Sequence, residues 1–196
     1  MPTASPAPHS EPGRPTLPAS HRLFFALVPP EPVRARIAEA AAGLRVRGGV
    51  TGRWVRPARY HLTLAFLGDH RLLDDGSLLA RLQARGRATA AAVAPFAWRA
   101  DRIDSLHARR PPCVLLGASP CAPLQALHER LWDAPPVSAA DPPFVPHVTV
   151  AYTDPPLPAA VPLEPALTWP VSAIELLHGE PGRADYHSLG RWPLEG

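Results

Sequence analysis

Two short segments of the chain share the pattern histidine, apolar residue, threonine, apolar residue. They are His61-Leu-Thr-Leu64 and His147-Val-Thr-Val150, and they lie far apart in a chain of 196 residues. The composition alone predicts roughly 0.08 copies of this pattern, so two copies point to a shared role. For either copy alone, a structural His–Thr pair satisfied by hydrogen bonds is the simpler interpretation, and the duplication reverses that preference.

The side chains in these two motifs suit acid and base chemistry at a phosphodiester. Imidazole titrates near neutral pH, so one ring can accept a proton while the other donates one. The hydroxyls of Thr63 and Thr149 can donate hydrogen bonds to the non-bridging oxygens, where charge accumulates during displacement. Because side chains alternate along a strand, each motif directs its histidine and threonine to one face and its apolar residues to the core.

The residue types that are absent exclude several function classes. All 20 basic residues are arginine, which excludes Walker phosphate loops, lysine Schiff-base enzymes and lysine-adenylated ligases. Each motif offers one nitrogen ligand with no acidic residue at ligand spacing, so a zinc site is not expected. We therefore expect neither a metal nor another cofactor. The net charge of +3 permits a phosphorylated or nucleic-acid substrate, although high-GC codon bias explains the arginines equally well.

Cysteine usage and hydropathy indicate the compartment. Cys113 and Cys121 are the two cysteines of the chain, and they form no CxxC pair. The sequence shows no secretory apolar segment, and its longest apolar stretches are too short to span a bilayer. We expect a cytoplasmic monomer that does not enter a membrane.

The elements that must position the two motifs are predicted to form one domain. Residues 1–20 are rich in proline and are predicted to be a disordered leader, so residues 21–196 form a single two-lobed domain. Helices are predicted from Glu31 to Gly48-Gly49, around Leu78 to Val93, and after Pro123. Strands are predicted at Arg22–Val28, Gly52–Val55, Tyr60–Leu67, Phe96–Leu106, Cys113–Ala118, Phe144–Tyr152, Leu167–Leu177 and Tyr186–Trp192. The order β-α-β-β-α-β-β-α-β-β-β favours an α+β domain with antiparallel sheets.

Other candidate residues carry weaker signals. The remaining histidines share no pattern and are predicted to be ordinary surface or core residues: His9, His21, His70, His107, His128, His178 and His187. The Arg109-Arg110 pair fits either a phosphate-facing patch or a solvated turn. A thin surface of aromatic and basic residues leaves a non-catalytic RNA-binding module as a distant alternative. Its residues are Arg53, Trp54, Arg56, Arg59 and Tyr60.

Longer segments around the motifs resemble a known family. These segments are Arg22-Leu-Phe-Phe-Ala-Leu27, Arg53 to Gly68 with the first motif, Leu127-His-Glu-Arg-Leu131, Phe144 to Val150 with the second motif, and a closing stretch from Gly182 through Tyr186 and Leu189 to Trp192-Pro-Leu194. Together they resemble the 2H phosphoesterase superfamily, and specifically the RNA 2′,3′-cyclic phosphodiesterases that are also called the 2′-5′ RNA ligase family.

The resemblance implies a fold and a mechanism. The implied fold is bilobal, with two antiparallel sheets facing a central cleft and helices packed outside. His61 would be the proton donor and His147 the proton acceptor, while Thr63 and Thr149 would bind the phosphoryl oxygens. The implied substrate is RNA or a nucleotide with a terminal 2′,3′-cyclic phosphate, hydrolysed to a 2′-phosphate. Attack by a 5′-hydroxyl in place of water would give 2′-5′ ligation, and the alternative within this class is a phosphodiesterase of small cyclic nucleotides or other cyclic phosphates.

Two positions depart from the family pattern. Val145, two residues before the second histidine, stands where relatives often have a basic residue. Tyr152 stands where an arginine is common.

Overall fold

The computed structural model describes residues 21–47, 50–70, 76–106, 112–132 and 143–196. Several predictions concern residues outside these ranges, namely the leader at 1–20, which contains His9, and the segment with His107 and the Arg109-Arg110 pair. The side chain of His70 is also not described.

The described residues form nine strands and three α-helices. The strands are β1 (His21–Leu27), β2 (Gly52–Trp54), β3 (Leu62–His70), β4 (Phe96–Ser105), β5 (Pro112–Leu116), β6 (Val148–Thr153), β7 (Val161–Val171), β8 (Ala173–Gly179) and β9 (His187–Pro193). The helices are α1 (Glu31–Arg47), α2 (Gly76–Ala91) and α3 (Ala122–Leu131), and Pro57–Arg59 form a short 3₁₀ helix.

The strands pair in the order β7-β4-β5-β6-β3-β1-β8-β9, with β2 also pairing with β6. Each described pairing is antiparallel, as expected for the α+β class. The resemblance implies two sheets. In the structure they are the two four-stranded halves of one sheet, β7-β4-β5-β6 and β3-β1-β8-β9. One registered pair, Leu62 with Val148, joins β3 to β6 between the halves.

The helices pack on one face of the sheet and leave the opposite face for the cleft. In β1, Leu23 and Phe25 belong to the main core with residues of the helices, whereas Phe24 belongs to a small cluster on the other face. Helix α1 packs on the β7 half and α2 on β8 and β9, while α3 packs on β3 and α2. Fully burying a leucine or phenylalanine in this core contributes about 1.5–3 kcal/mol.

The predicted helices form with the predicted buried faces. In α1 the apolar residues recur at helical spacing, and Val33, Ile37 and Leu44 are buried. In α3 the side chains of Leu124 and Leu127 are completely buried. Periodicity sufficed here because a helix on a sheet must bury one continuous stripe.

Two strand predictions were wrong in detail. The single strand predicted at Leu167–Leu177 is two strands, β7 and β8, separated at Ser172, so the domain has one more strand than expected. An apolar run carries no mark of where a chain leaves one strand and enters its neighbour. His61 and His147 do not lie inside strands as predicted, because each comes one residue before its strand begins.

Strands β3 and β6 each contain a β-bulge at the same motif position. In β3, Thr63 lies opposite Ala26 and Ala65 opposite Phe25, so Leu64 has no partner in β1. In β6, Thr149 lies opposite Val114 and Ala151 opposite Cys113, so Val150 has no partner in β5. A bulge shifts the alternation of side chains by one residue beyond it.

None of the described helices is both long enough and apolar enough to cross a membrane.

The close approach of β2 to β6 predicts the effect of a substitution at Gly52. Gly52 has a φ of +152°, and a Cβ there would overlap the carbonyl oxygen of Tyr152. We expect Gly52→Ala to lower the free energy of unfolding by about 1–3 kcal/mol in urea denaturation. Gly76→Ala is the matched control, because a Cβ at Gly76 meets no atom within 4 Å. Equal unfolding free energies for the two variants would contradict this account.

Candidate active site

The four residues predicted from the motifs line one cleft. This cleft has a volume of about 650 Å³ and contains His61, Thr63, His147 and Thr149. Leu62 lies between His61 and Thr63 in sequence, and Val148 lies between His147 and Thr149. Both apolar side chains are completely buried, as the alternation of side chains along a strand predicted. The cleft is also lined by Arg22, Phe24, Arg53, Trp54, Val55, Arg56, Arg59, Phe66, Tyr152 and Tyr186.

The pairing of Leu62 with Val148 gives the site a local twofold symmetry. Both residues occupy the second position of their motifs, and the two strands are antiparallel. Extending this register by one residue in each direction sets His61 opposite Thr149 and Thr63 opposite His147. One group that sits over the pair can therefore contact an imidazole and a hydroxyl from each motif.

The two histidine rings are held by the same local hydrogen bond. Nδ1 of His61 donates to the carbonyl oxygen of Arg59 at 2.8 Å. Nδ1 of His147 donates to the carbonyl oxygen of Val145 at 2.7 Å. Each acceptor lies two residues before its histidine, and neither Nε2 has a hydrogen-bond partner among the described residues. This arrangement fixes Nε2 as the nitrogen that is available for proton transfer on both rings.

His61 lies in an aromatic enclosure. The ring centroid of Phe24 lies 5.0 Å from that of His61, and Tyr186 packs edge-on at 5.2 Å. Burial lowers the pKa of His61, the hydrogen bond to the Arg59 carbonyl partly offsets this, and the nearby Arg59 and His147 side chains lower the pKa by smaller amounts. In the absence of an anion, the neutral imidazole is therefore favoured at this position.

His147 lies in a more open part of the cleft. It is half-buried, and it follows an extended segment in which Val145 is exposed. The two rings are thus tethered alike but sit in different surroundings. Such a difference lets two chemically identical groups take different roles in one reaction.

Arginines give the cleft a positive potential. Arg22, Arg53, Arg56 and Arg59 line it, and no acidic side chain does so among the described residues. Arg56 forms an ion pair with Asp185 at 2.8 Å, which connects the segment before His61 to the loop that carries Tyr186. A concave site with charges of one sign attracts anions such as phosphates.

His128 is predicted to be an ordinary core or surface residue, and in the structure it contacts two segments that lead to the site. Its Nδ1 donates to the carbonyl oxygen of Leu64, the bulged residue of β3, at 2.6 Å. Its ring stacks on Phe144 with centroids 4.1 Å apart and planes 1° apart. His128 therefore links the strand of the first motif to the segment that leads to His147. The sequence signal for it was the Leu127-His-Glu-Arg-Leu131 segment, because one histidine alone does not identify a contact partner.

Several other predicted residues lie elsewhere. Tyr60 is buried, and burial raises its pKa, so its ring belongs to the core rather than to an RNA-binding surface. His21 and His178 form a hydrogen-bonded pair at 2.8 Å and do not line the cleft. Within the described ranges, no group of three or more His, Cys, Asp or Glu residues is placed to hold a metal ion.

Comparisons with known proteins identify relatives of the whole chain and of its fold. The family model of the 2′-5′ RNA ligase superfamily matches residues 28–183. The chain is 33% identical over 192 residues to a Thermus thermophilus protein named RNA 2′,3′-cyclic phosphodiesterase, covering 89% of this chain and 91% of that protein. The fold is similar to the crystal structure of Escherichia coli LigT in its apo form, with a TM-score of 0.70, 27% identity, and coverage of 91% of this chain and 99% of LigT. LigT complexed with 3′-AMP is similar too, with a TM-score of 0.69, 25% identity, and coverage of 90% and 99%.

The surroundings of His61 predict its titration. In an NMR titration of the free protein, we expect the His61 midpoint below the ordinary value for histidine, because burial disfavours the imidazolium. Added inorganic phosphate should raise the midpoint, because an anion favours the imidazolium. As the pH falls, His61 is protonated in the unfolded chain before it is protonated in the folded chain. The folded protein therefore loses stability as the pH falls towards the lowered pKa of His61. His61→Gln identifies the signal, and an ordinary or elevated midpoint without phosphate would contradict the prediction.

Proposed function

The chain belongs to the 2′-5′ RNA ligase superfamily, and on that premise we propose that it is an RNA 2′,3′-cyclic phosphodiesterase that works by paired-histidine acid and base catalysis. The expected product is a 2′-phosphate. The fold and the relatives make it a 2H phosphoesterase. The roles of the individual residues are part of our proposal.

One observation carries the mechanism. Two His–Thr pairs lie across a local twofold from each other at the base of an arginine-lined cleft. Both rings are tethered through Nδ1, so both present Nε2 to a shared ligand. Displacement at phosphorus needs a base on the side of the attacking oxygen and an acid on the side of the leaving oxygen. The two walls of the cleft supply one imidazole each.

The reaction follows from this arrangement. Nε2 of His147 takes a proton from water as the water oxygen forms a bond to phosphorus. The bond from phosphorus to the 3′ oxygen breaks, and Nε2 of His61 donates its proton to that oxygen. The hydroxyls of Thr63 and Thr149 donate hydrogen bonds to the non-bridging oxygens, where negative charge grows during the displacement.

His61 must carry a proton before it can act as the acid. Burial disfavours this state in the free protein, and the bound phosphodiester reverses the balance because its negative charge stabilises the imidazolium. Substrate binding therefore prepares the acid. The aromatic rings around His61 exclude water and strengthen this electrostatic effect.

The same site accommodates 2′-5′ ligation. If a 5′-hydroxyl replaces water, His147 takes the hydroxyl proton, the 5′ oxygen bonds to phosphorus, and His61 protonates the departing 3′ oxygen. The product is a 2′-5′ phosphodiester, and the energy of the strained cyclic phosphate replaces that of a nucleotide cofactor.

RNA is favoured over a small cyclic nucleotide by the extent of the basic surface. The Arg53 and Arg56 side chains line the cleft on the segment that precedes the first motif, and Arg22 lines it from β1. A second phosphate group of a longer substrate would bind to this surface.

The monomeric state and the cytoplasmic location remain predictions from the sequence.

The paired histidines predict non-additive effects of mutation. We expect His61→Ala and His147→Ala each to lower the turnover number by about 10² to 10⁴ on an oligonucleotide that ends in a 2′,3′-cyclic phosphate. The double variant should lose much less than the product of the two losses, because the histidines act in one step. His187→Ala is the control, since His187 is an exposed histidine that does not line the cleft. Near-normal hydrolysis by His147→Ala would overturn the assignment.

The assignment of donor and acceptor can be tested with the leaving group. A phosphodiester with a nitrophenolate leaving group needs no acid, because that leaving group departs without a proton. We expect this substrate to restore the rate of His61→Ala far more than that of His147→Ala, since water still needs a base. Single-turnover rates on the activated and natural substrates give the comparison. Equal rescue, or rescue of His147→Ala alone, would show that the two roles are wrong.

A further inference from the structure

The similarity of the two motifs extends beyond their first four residues. Alanines, Ala65 and Ala151, occupy the fifth position, and aromatic residues, Phe66 and Tyr152, occupy the sixth. The side chain of Phe66 is 46% exposed and that of Tyr152 is 38% exposed, and both line the cleft that holds the two histidines. Each motif strand therefore contributes one accessible aromatic ring to the cleft.

Two matching β-bulges direct these rings into the cleft. In an uninterrupted strand, the sixth position would share a face with the second and fourth, which are buried in both motifs. The bulges at Leu64 and Val150 shift the alternation by one residue, so the alanines are buried and the aromatic rings line the cleft. Regular strands would bury both rings.

The antiparallel register sends the two rings to opposite ends of the cleft. From the registered pair that joins β3 to β6, the two strands run in opposite directions. Strand β3 runs towards Phe66, on the side of the join where the register sets His147. Strand β6 runs towards Tyr152, on the side where the register sets His61. Tyr152 therefore lies at the His61 end of the cleft, and Phe66 lies at the His147 end.

Strand β2 takes the place of β3 beside β6 at the His61 end. It pairs with β6 over Gly52–Trp54, and the N–H of Val55 donates to the carbonyl oxygen of Val150 at 2.8 Å. The chain then continues through the 3₁₀ helix to His61. This end of the cleft is therefore built from β2, β6 and the segment that leads to the first histidine.

Arg53 of β2 stacks on the ring of Tyr152. The two residues are registered partners, and the guanidinium carbon lies 4.6 Å from the ring centroid. Both side chains line the cleft, and within the described residues no carboxylate forms an ion pair with Arg53. Aromatic rings and guanidinium planes are groups on which unpaired nucleic-acid bases stack. The pair therefore offers a stacking surface at the His61 end of the cleft.

The direction of the reaction places the nucleoside of the substrate at this same end. Both ester oxygens of a 2′,3′-cyclic phosphate belong to one ribose, so the leaving 3′ oxygen stays attached to the nucleoside. In an in-line displacement, the attacking and leaving oxygens lie on opposite sides of phosphorus. The leaving oxygen receives its proton from His61, and the attacking water gives its proton to His147. The ribose and its base therefore lie on the His61 side, where Tyr152 and Arg53 are.

We propose that Tyr152 and Arg53 form the subsite for the base of the nucleoside that carries the cyclic phosphate. This inference rests on the proposed function, because it uses the assignment of His61 as the acid. The base stacks on the pair of ring and guanidinium, and the 3′ oxygen of the same nucleoside lies at Nε2 of His61. Because every base has a π face, the subsite accepts each of the four bases.

Stacking on this pair contributes to substrate binding rather than to the breaking of a bond. The base remains stacked while water adds to phosphorus and the 3′ oxygen leaves with the proton of His61. An interaction that is equal in the bound substrate and in the transition state lowers KM and leaves kcat unchanged. Loss of the subsite should therefore raise KM for substrates that have a terminal base.

The test measures how much the terminal base contributes to hydrolysis. The full chain acts on two oligonucleotides of equal length, one that ends in adenosine 2′,3′-cyclic phosphate and one whose terminal ribose 2′,3′-cyclic phosphate has no base. The measured quantity is the base preference, which is the ratio of kcat/KM for the first substrate to kcat/KM for the second. We expect the unmodified protein to prefer the base about tenfold, and Tyr152→Ala to lose most of this preference through KM.

Three further variants test the stacking and its position. Tyr152→Phe keeps the ring and should retain the base preference, whereas Arg53→Gln removes the guanidinium and should reduce the preference less than Tyr152→Ala does. Phe66→Ala is the matched control, because it removes an aromatic ring from the same motif position at the His147 end. It should leave the base preference unchanged, whatever its effect on the two rates. Thermal unfolding of each variant checks that the fold is intact.

The outcomes separate this inference from the proposed function. Equal kcat/KM for the two substrates in the unmodified protein, an unchanged preference in Tyr152→Ala, or an equal loss of preference in Phe66→Ala or Tyr152→Phe would each overturn the subsite and leave the proposed function in place. A lack of hydrolysis of both substrates by the unmodified protein would overturn the proposed function and the subsite with it. A loss of preference confined to Tyr152→Ala and, to a smaller degree, to Arg53→Gln would support the subsite.

Discussion

The geometry of the site depends on one pair of residues, Leu62 in β3 and Val148 in β6. They form the registered pair between the two halves of the sheet, and both occupy the second position of their motifs. An antiparallel pair between equivalent positions creates a local twofold axis, which sets each histidine beside the threonine of the other motif. The histidine and threonine of both motifs therefore line one cleft.

The chain breaks this symmetry with the residues around the motifs. The first histidine is enclosed by Phe24 and Tyr186, and the Arg56 ion pair with Asp185 holds the loop that carries Tyr186. The second histidine lies in a more open segment next to Val145. Two rings with identical backbone tethers thereby lie in different surroundings. A symmetrical frame with unequal walls suits a reaction whose two proton transfers run in opposite directions.

One departure from the family pattern, at Tyr152, also changes the residues that line the cleft. Tyr152 stands where the resemblance to the family predicts an arginine, and Arg53 from the neighbouring strand β2 stacks on its ring. A positive charge is thus present beside this position, although it comes from another strand. Cross-strand neighbours share a face of the sheet. An arginine at position 53 of β2 can therefore place its charge in the same part of the cleft as an arginine at position 152 of β6 would.

The local patterns of the sequence predicted much of the fold and the residues of the site. The helical spacing of apolar residues located the three helices and their buried faces. The alternation of side chains along a strand predicted that Leu62 and Val148, the second residues of the two motifs, would be buried. It did not separate β7 from β8, and it placed both histidines inside strands, because an apolar run does not show where hydrogen bonding to a neighbour begins or ends. The alternation also fails beyond Leu64 and Val150, where the bulges shift it.

By itself, the sequence determined which side chains could do chemistry, because the repeated His-x-Thr-x motif depends on residue type and order alone. The tertiary structure decided the relations between distant segments. These are the join at Leu62 and Val148, the enclosure of His61 by residues of β1 and the loop before β9, the contact of His128 with Leu64, and the stacking of Arg53 on Tyr152. Such contacts depend on which strands become neighbours and where they bulge. Hydrogen-bond pairing across the whole sheet fixes both, and no short segment of sequence specifies that pairing.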